Sequence, residues 1–420
     1  MKEISVLKFG GSSLASPELV RRVALIVKSH YDKTQRVVVV VSAMGKSTDQ
    51  LLQLADEVSP HARTHHKREI DMLVSTGERV SMSLLSMAIL DLGIPALSLT
   101  GSQSGIITSD HHGEAEILEI RGERIQSALD ENKVVIVAGF QGVSKNKEIT
   151  TLGRGGSDTS ALALAAHFNA SKAYIYSDVD AYFSADPKMV SNAKRYEQIS
   201  WEEAFLSSYY GAKVLHHRAA NIAAAKQIQA HLLSTYNPQG FAGLIGGHSH
   251  DDGHKNQTLT LNLKKGVRKL TTKYINTHSN ALDRSAITEL EGNLCPWAPQ
   301  NSPNTSPLFS TFNQILGSQR PQITAVDLED SADVFIGVQV GDKNFLDISK
   351  QSEEYWCLTL VGCELCEQKD TKIRAKTIFE KLNSKISATL ETPLSHSWIV
   401  PAKNLDDKEL LNLFHNEFIK

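Results

Sequence analysis

The run Arg36–Ala43, RVVVVVSA, holds five valines in succession. β-Branched residues at every position leave no polar face, so the segment cannot lie on a half-solvated sheet. It reads as a strand buried on both sides, as in a parallel sheet covered by helices. ISVLKF, PALSL, KVVIVAGF and KAYIYSD are short apolar runs of the same kind, and helical patterns separate them. Ser16-Pro17-Glu18 offers a capping hydroxyl, a proline at the first helical position and early negative charge. Val20, Val23 and Val27 then recur at helical spacing. GERVSMSLLSMAILDLG reads as a second helix closed by Gly93, and SDTSALALAAHF as a third. Strand–helix alternation over the first half of the chain predicts an α/β domain, a mostly parallel sheet with helices on both faces.

At 420 residues the chain exceeds one ordinary domain. Residues 239–256, QGFAGLIGGHSHDDGHKN, read as a linker. Its histidines, His248, His250 and His254, are either metal ligands or part of a solvated tract. Beyond it QTLTLNL, ADVFIGVQV, YWCLTLVG and HSWIVPA read as strands, and AKTIFEKLNSK and DKELLNLFHNEF as helices. That is a smaller α+β region of two modules, interrupted by the Pro/Asn-rich loop 292–307. The expected division is 1–247, 257–345 and 346–420.

A formal net charge of −3 gives no general attraction to nucleic acid or anionic membrane, so anion binding must be local. The apolar run after Met1 is too short for a secretory leader, and no run approaches the ~20 apolar residues of a membrane span. Four cysteines fit a reducing cytoplasm. Cys363 and Cys366 form one C-x-x-C without the second pair that a zinc site needs, so they are a metal or redox pair or ordinary thiols.

Four stretches carry chemistry. VLKFGGSSLASPE ends a strand at Lys8, where open α/β sheets bind ligands. Gly10 and Gly11 let backbone N–H groups approach an anion, Ser12 and Ser13 add hydroxyls, and a helix start follows. The other reading is a tight turn with a solvated lysine. In TTLGRGGSDTSALALAAH, glycines bare the fork of Arg154 for a carboxylate or phosphate, and Asp158 is either functional or a plain N-cap. YIYSDVDAYFSADPK runs out into Ser177, Asp178 and Asp180, with Lys188 close behind. GAKVLHH sets Lys213 at an expected helix beginning.

In this order the stretches resemble the aspartate kinases of the amino-acid kinase family. The family's K-F-G-G-T-S is Lys8–Ser13 with serine at position 12. S-A-M-G-x-x-T-[DN]-x-L matches Ser42–Leu51, and G-E-x-x-S matches Gly77, Glu78 and Ser81. G-R-G-G-S-D-T-[ST]-A is intact from Gly153 to Ala161. SDVDAYFSADPK and GAKVLH follow. The resemblance implies an αβα sandwich followed by two C-terminal ACT-like (ferredoxin-like) modules, the first of them degenerate. It implies that L-aspartate and MgATP give 4-phospho-L-aspartate and ADP, the first step toward lysine (through diaminopimelate), threonine and methionine.

By motif position, Lys8 would contact the transferring phosphoryl group and Asp158 would hold the cations in place. Gly10, Gly11 and Ser12 would line the phosphates. Thr48, Glu78, Arg154 and Ser157 would bind aspartate. Ser177, Asp178, Phe183, Lys188 and Lys213 would surround the nucleotide. No Mg²⁺ ligand is assigned to the protein. The ACT-like modules make a homodimer the expected state, and they either bind an amino-acid effector or serve only folding and dimerisation; the expected location is cytoplasmic.

Three departures lie on the nucleotide side: Ala181 for glycine, Lys188 for arginine and His217 for proline. An alanine forced to positive φ at 181 would be strained. Two alternatives stay open, a kinase acting on a glutamate-type acceptor and a non-catalytic paralogue kept for regulation.

Overall fold

The computed structural model describes residues 3–240, 242–247, 259–270, 322–326, 334–337, 354–362, 365, 370–392 and 394–419. The three linker histidines, the Cys363/Cys366 pair, the loop 292–307 and most of the expected first ACT-like module lie outside the described residues.

The chain begins β1 (Ser5–Phe9), α1 (Pro17–Thr34), β2 (Val37–Val41), α2 (Ser47–Val58), α3 (Ala62–His65), α4 (Lys67–Val74) and α5 (Thr76–Leu90). It continues β3 (Ala96–Leu99), β4 (Ile106–Thr108), β5 (Ile117–Ile120), α6 (Glu123–Asp130), β6 (Val134–Ala138), β7 (Gln141–Ser144) and β8 (Ile149–Thr151). Next come α7 (Gly156–His167), β9 (Lys172–Ser177), β10 (Tyr182–Phe183), β11 (Arg195–Tyr196), β12 (Gln198–Ile199) and α8 (Trp201–Tyr209). Then follow α9 (His217–Ala225), β13 (Gln229–Ser234) and β14 (Gly243–Ile245).

The five valines form β2 and are fully buried, each contributing roughly 1.5 kcal/mol of apolar transfer. Val37, Val39 and Val41 pack with Val20, Val23 and Val27 of α1 and Leu85 and Ile89 of α5. Helix α7 lies against β1, β2 and β9 and buries Ala161, Leu162, Leu164 and Ala165. The result is a sheet with helices on both faces. Its strand order is β12-β14-β13-β9-β1-β2-β6-β3, parallel at every pair except β13 with β14. The expected mostly parallel α/β sheet is the observed one.

Strand β1 is the centre of this order. The chain steps to β2 on one side of it and later to β9 on the other, so a crevice opens at the carboxyl end of β1. Ser16 caps α1 by accepting the Leu19 N–H at 3.3 Å, as its hydroxyl predicts. Helix α5 ends at Leu90. Gly93 lies two residues beyond the cap at φ +75, its N–H on the Leu90 carbonyl. A second sheet, β5-β4-β7-β8, was not legible in the sequence, because strands of three or four residues are too short to show a period.

Contacts divide the chain into two units, and the division is not a single cut. Met1–Tyr182, Arg195–Ser208 and Lys213–His254 form the first, while Phe183–Lys194, Tyr209–Ala212 and Lys255–Lys420 form the second. Ala185 and Val190 belong to the second because they are buried in its core with Leu259, Trp356, Trp398 and Phe414.

The second unit holds β15 (Thr260–Leu270), β16 (Gln322–Val326), β17 (Val334–Gly337), β18 (Glu354–Val361), α10 (Thr371–Lys381), β19 (Ala388–Thr392), β20 (Ser395–Pro401) and α11 (Asp407–Phe418). Its antiparallel sheet runs β16-β17-β15-β18-β20-β19. Phe379 of α10 and Phe414 of α11 pack against Trp398 of β20. After residue 353 the strands read at YWCLTLVG and HSWIVPA and the two helices are present, and β19 is a further strand that the sequence reading did not include.

Candidate active site

The crevice at β1 collects three loops. Lys8, next to last in β1, lies between Val40 of β2 and Ile175 of β9 and is 9% exposed. Its Nζ is 2.6 Å from Oδ1 of Asp158, an ion pair without an aligned hydrogen bond. Asp158 is not the N-cap of α7, as one reading had it. Gly155 holds that position and Asp158 sits in the first turn, where its carboxylate faces both the helix dipole and Lys8. The chain thus fixes an ammonium at the sheet's carboxyl edge.

Beyond Lys8 the chain makes a short 3₁₀ turn, Gly11–Leu14, before α1. The Gly10 N–H donates to the Tyr176 carbonyl at 3.1 Å, and the Gly45 N–H to the Gly11 carbonyl at 2.9 Å. A Cβ on Gly11 would lie 2.8 Å from the Ala43 carbonyl oxygen, so the two loops touch only because residue 11 has none. The serines divide. Ser12 is half-buried, and its hydroxyl makes no hydrogen bond among the described residues. Ser13 is buried with its hydroxyl 2.6 Å from Thr235, so it is a packing residue and not the donor expected from the sequence.

Glu78 opens the first turn of α5 and is 3% exposed. Its Oε1 accepts the Ala43 N–H at 3.0 Å, while Oε2 is buried with no hydrogen-bond partner. Burial pushes its carboxyl up to about 8, against the pull of the N–H groups of Glu78 and Ala43. A half-satisfied buried carboxylate is costly, and a bound cation would relieve it. Thr48, in the first turn of α2, is half-buried.

The glycine loop carries Arg154 exposed to solvent, with no ion pair or hydrogen bond among the described residues. Gly155 takes φ +68, and a Cβ there would lie 2.1 Å from Cγ of His216. That imidazole is held down to about 4 by burial, with Asp158 opposing and Arg218 and Arg154 adding to the lowering. Neutral His216 caps α9 through its Nδ1 and the Arg218 N–H at 3.4 Å. Ser157 is buried one residue before Asp158.

The residues expected around the nucleotide fall in both units. The Ser177 hydroxyl is used inside its own turn, donating to the Val179 carbonyl at 2.7 Å and accepting the Val179 N–H at 3.0 Å. Asp178 is exposed. Asp180 pairs with Arg195 at 2.9 Å. Lys213 is exposed in a loop; α9 begins only at His217, so the expected helix start at Lys213 is corrected. Phe183 and Lys188 belong to the second unit. Lys188 is exposed there, with its N–H on Oδ1 of Asp186 at 2.9 Å.

The backbone accommodates two of the three departures. Ala181 is buried without entering the left-handed region, so the expected strain does not arise. His217 occupies the first position of α9, where proline is favoured but not required.

Three residues near this crevice escaped the sequence reading. Asp71 is a fully buried acid on α4, and nothing in REIDMLV sets it apart from a solvated position. Phe140 follows β6 at φ +68, rare for a bulky side chain, and the flanking glycine of AGFQG was its only trace. His216 gave no sign of touching Gly155. A cavity of about 490 Å³ does exist in this unit, but Ser5, His30, Lys172 and Tyr174 line it at the strands' amino ends. It holds none of these residues.

The sequence profile of the amino acid kinase family matches residues 3–234. The aspartokinase of Mycobacterium tuberculosis (strain ATCC 25618 / H37Rv) is 48% identical over 242 residues, 57% of each chain. That of Geobacillus stearothermophilus is 51% identical over 220 residues, 52% of this chain and 53% of the relative. The matched part therefore spans little more than half the length of these curated relatives. Among solved structures, E. coli aspartokinase III in complex with aspartate and ADP superposes at a TM-score of 0.76, covering 100% of both chains at 22% identity. The aspartate kinase from Synechocystis gives 0.53 at 27% identity, over 98% of this chain and 68% of the other. At 22% identity the first of these is evidence of fold alone.

Proposed function

Because this chain belongs to the amino acid kinase family, we propose that it is an aspartate kinase, moving the γ-phosphoryl group of ATP to the side-chain carboxylate of L-aspartate. A bond forms between a carboxylate oxygen and the γ-phosphorus, and the bond from that phosphorus to the β–γ bridging oxygen breaks. The products are 4-phospho-L-aspartate and ADP.

The acceptor carboxyl has an ordinary value near 4, so at pH 7 it is already the nucleophile, and no proton need be removed. The obstacle is repulsion between a carboxylate and a polyphosphate, which fixed cations and oriented N–H groups relieve. Lys8 is held for that task by Asp158 at 2.6 Å. The N–H groups of Gly11 and Ser12 and the N-termini of α1 and α7 supply further donors at the same edge.

The observation that carries the reading is the half-satisfied Glu78. Its buried, unpartnered Oε2 suits the α-ammonium of an amino-acid substrate. Arg154, bare on its loop, would take the α-carboxylate, with Thr48 and Ser157 as hydroxyl donors. Ser177, Asp178, Phe183, Lys188 and Lys213 are assigned to the nucleotide on motif position alone. Among the described residues no three His, Cys, Asp or Glu side chains gather as a metal site. Mg²⁺ is written as part of the MgATP substrate. The second unit is assigned the ACT-like modules 257–345 and 346–420, with an amino-acid effector and homodimerisation as their roles. No helix among the described residues is long and apolar enough to cross a membrane. A cytoplasmic location is part of the same proposal.

The test is ATP-dependent acyl phosphate formation, trapped with hydroxylamine, on L-aspartate, L-glutamate and N-acetyl-L-glutamate in parallel. Turnover of aspartate alone is expected. Turnover of a glutamate-type acceptor, or of none by the folded protein, overturns the reading.

A further inference from the structure

Asp71 has no part in the mechanism above, yet its buried carboxylate is bonded by several donors. It is 0% exposed on α4, and its carboxylate accepts from His112 Nδ1 at 2.8 Å and the Gly113 N–H at 3.0 Å. It also accepts the Thr151 N–H at 3.1 Å and the Thr151 hydroxyl at 2.5 Å. Four donors from two separate segments meet one side chain of a third.

Those segments lead to the two groups assigned to the acceptor. Thr151 ends β8, and Arg154 follows three residues later (154 − 151 = 3). Between them the Leu152 N–H is held by the Phe140 carbonyl at 2.9 Å, and the Leu152 carbonyl by Arg218 at 3.0 Å. Gly153 lies against Gly113, whose carbonyl oxygen would be 3.0 Å from a Cβ at 153. In the other direction the Asp71 carbonyl accepts the Ser75 N–H at 3.1 Å. The Ser75 carbonyl is in turn fixed by Gln141 Nε2 at 2.8 Å. Glu78 follows in the first turn of α5.

We propose that Asp71 is a positioning residue that sets the separation of Glu78 and Arg154, and with it the grip on the acceptor's α-ammonium and α-carboxylate, without touching the acceptor. This rests on the aspartate kinase reading. A displacement of about 1 Å in such a clamp changes substrate handling by up to about a hundredfold. The phosphate loop at Gly10–Ser12 is bonded to Tyr176 and Gly45 and, among the described residues, shares no hydrogen-bond partner with Asp71, so the larger effect falls on aspartate.

The test compares wild type with Asp71→Asn and Thr151→Val, the second removing one donor while keeping side-chain shape. Asp71→Asn is expected to raise KM for aspartate about tenfold or more, with KM for ATP within about twofold. Thr151→Val should move the same constant less, and it carries the test if Asp71→Asn does not fold. Equal shifts in both KM values, or a lowered Tm with both unchanged, overturn the inference. A wild-type protein that does not phosphorylate aspartate instead overturns the functional reading, and this inference with it.

Discussion

Helices α4 and α5 each bury one carboxylate, seven residues apart (78 − 71 = 7), and the two differ in a way that sorts the site. Asp71 has every donor it can use, from His112, Gly113 and Thr151. Burial raises its carboxyl while those bonds pull it down. Glu78 has only backbone N–H donors from Ala43 and itself, and its carboxyl is left at about 8. Both acids cost desolvation. A saturated acid returns that cost as rigidity, whereas a half-saturated one returns it only when something binds. Saturation within the fold therefore separates frame from binding surface, and each group at the crevice can be judged by it.

The largest effect expected is at Lys8, where the rule meets its hardest case. Lys8 is paired, but by one ion pair at an open edge and not by a closed set of donors. Lys8→Met should lower kcat about a thousandfold, the scale of losing one group aimed at developing charge. Far-UV circular dichroism should match wild type. Turnover within tenfold of wild type would mean that the Lys8–Asp158 pair is structural, like Asp71.

Next is Glu78→Gln, which keeps the acceptor atom for Ala43 and removes the charge. KM for aspartate should rise about a hundredfold with KM for ATP unchanged, since the α-ammonium loses its counter-charge. The pH dependence has a definite sign. A carboxyl raised from 4.5 to about 8 by burial stabilises the fold fully below about 4.5, and that stability is lost as pH rises through about 8. Wild-type Tm without substrate should fall across this window, and Glu78→Gln should remove that part of the fall. Aspartate binding needs the ionised form, so kcat/KM for aspartate should rise between about pH 6.5 and 8.5. A flat profile in wild type would remove Glu78 from the ammonium site.

Arg154→Ala should act more weakly, raising KM for aspartate about thirtyfold, because an exposed guanidinium is screened by water and salt. If only the ATP dependence changed, the glycine loop would serve the other substrate.

How much of this was legible follows the same line. Strands such as Val37–Val41 and Val134–Ala138 could be read because continuous burial leaves an unbroken apolar run. Lys8, Glu78 and Arg154 could be picked out as candidates because charged residues within two positions of a glycine at element ends have few packing reasons to be there. Asp71 could not, since one acid in REIDMLV looks like a solvated position until the fold brings Gly113 and Thr151 to it. The excursion of Phe183–Lys194 into the second unit could not be read either. It depends on Ala185 and Val190 finding Trp398 and Phe414, more than 200 residues away along the chain (398 − 190 = 208). Local pattern reports burial, and pairing across such separations leaves no local trace.

The smallest effect expected tests the rule from its other end. Ser177 was assigned to the nucleotide by motif position, yet its hydroxyl both donates to and accepts from Val179 in a closed turn. A saturated hydroxyl has little left to offer a ligand. Ser177→Ala should therefore leave KM for ATP within about twofold and lower stability by about 1 kcal/mol, the usual cost of one intramolecular hydrogen bond. Titration of MgATP against both proteins, with a denaturant melt beside it, reads the two quantities separately. A tenfold rise in KM for ATP at unchanged stability would show that the turn opens when nucleotide binds. Saturation in the unliganded fold would then sort groups correctly on the aspartate side only, where Glu78 and Asp71 already differ without ligand.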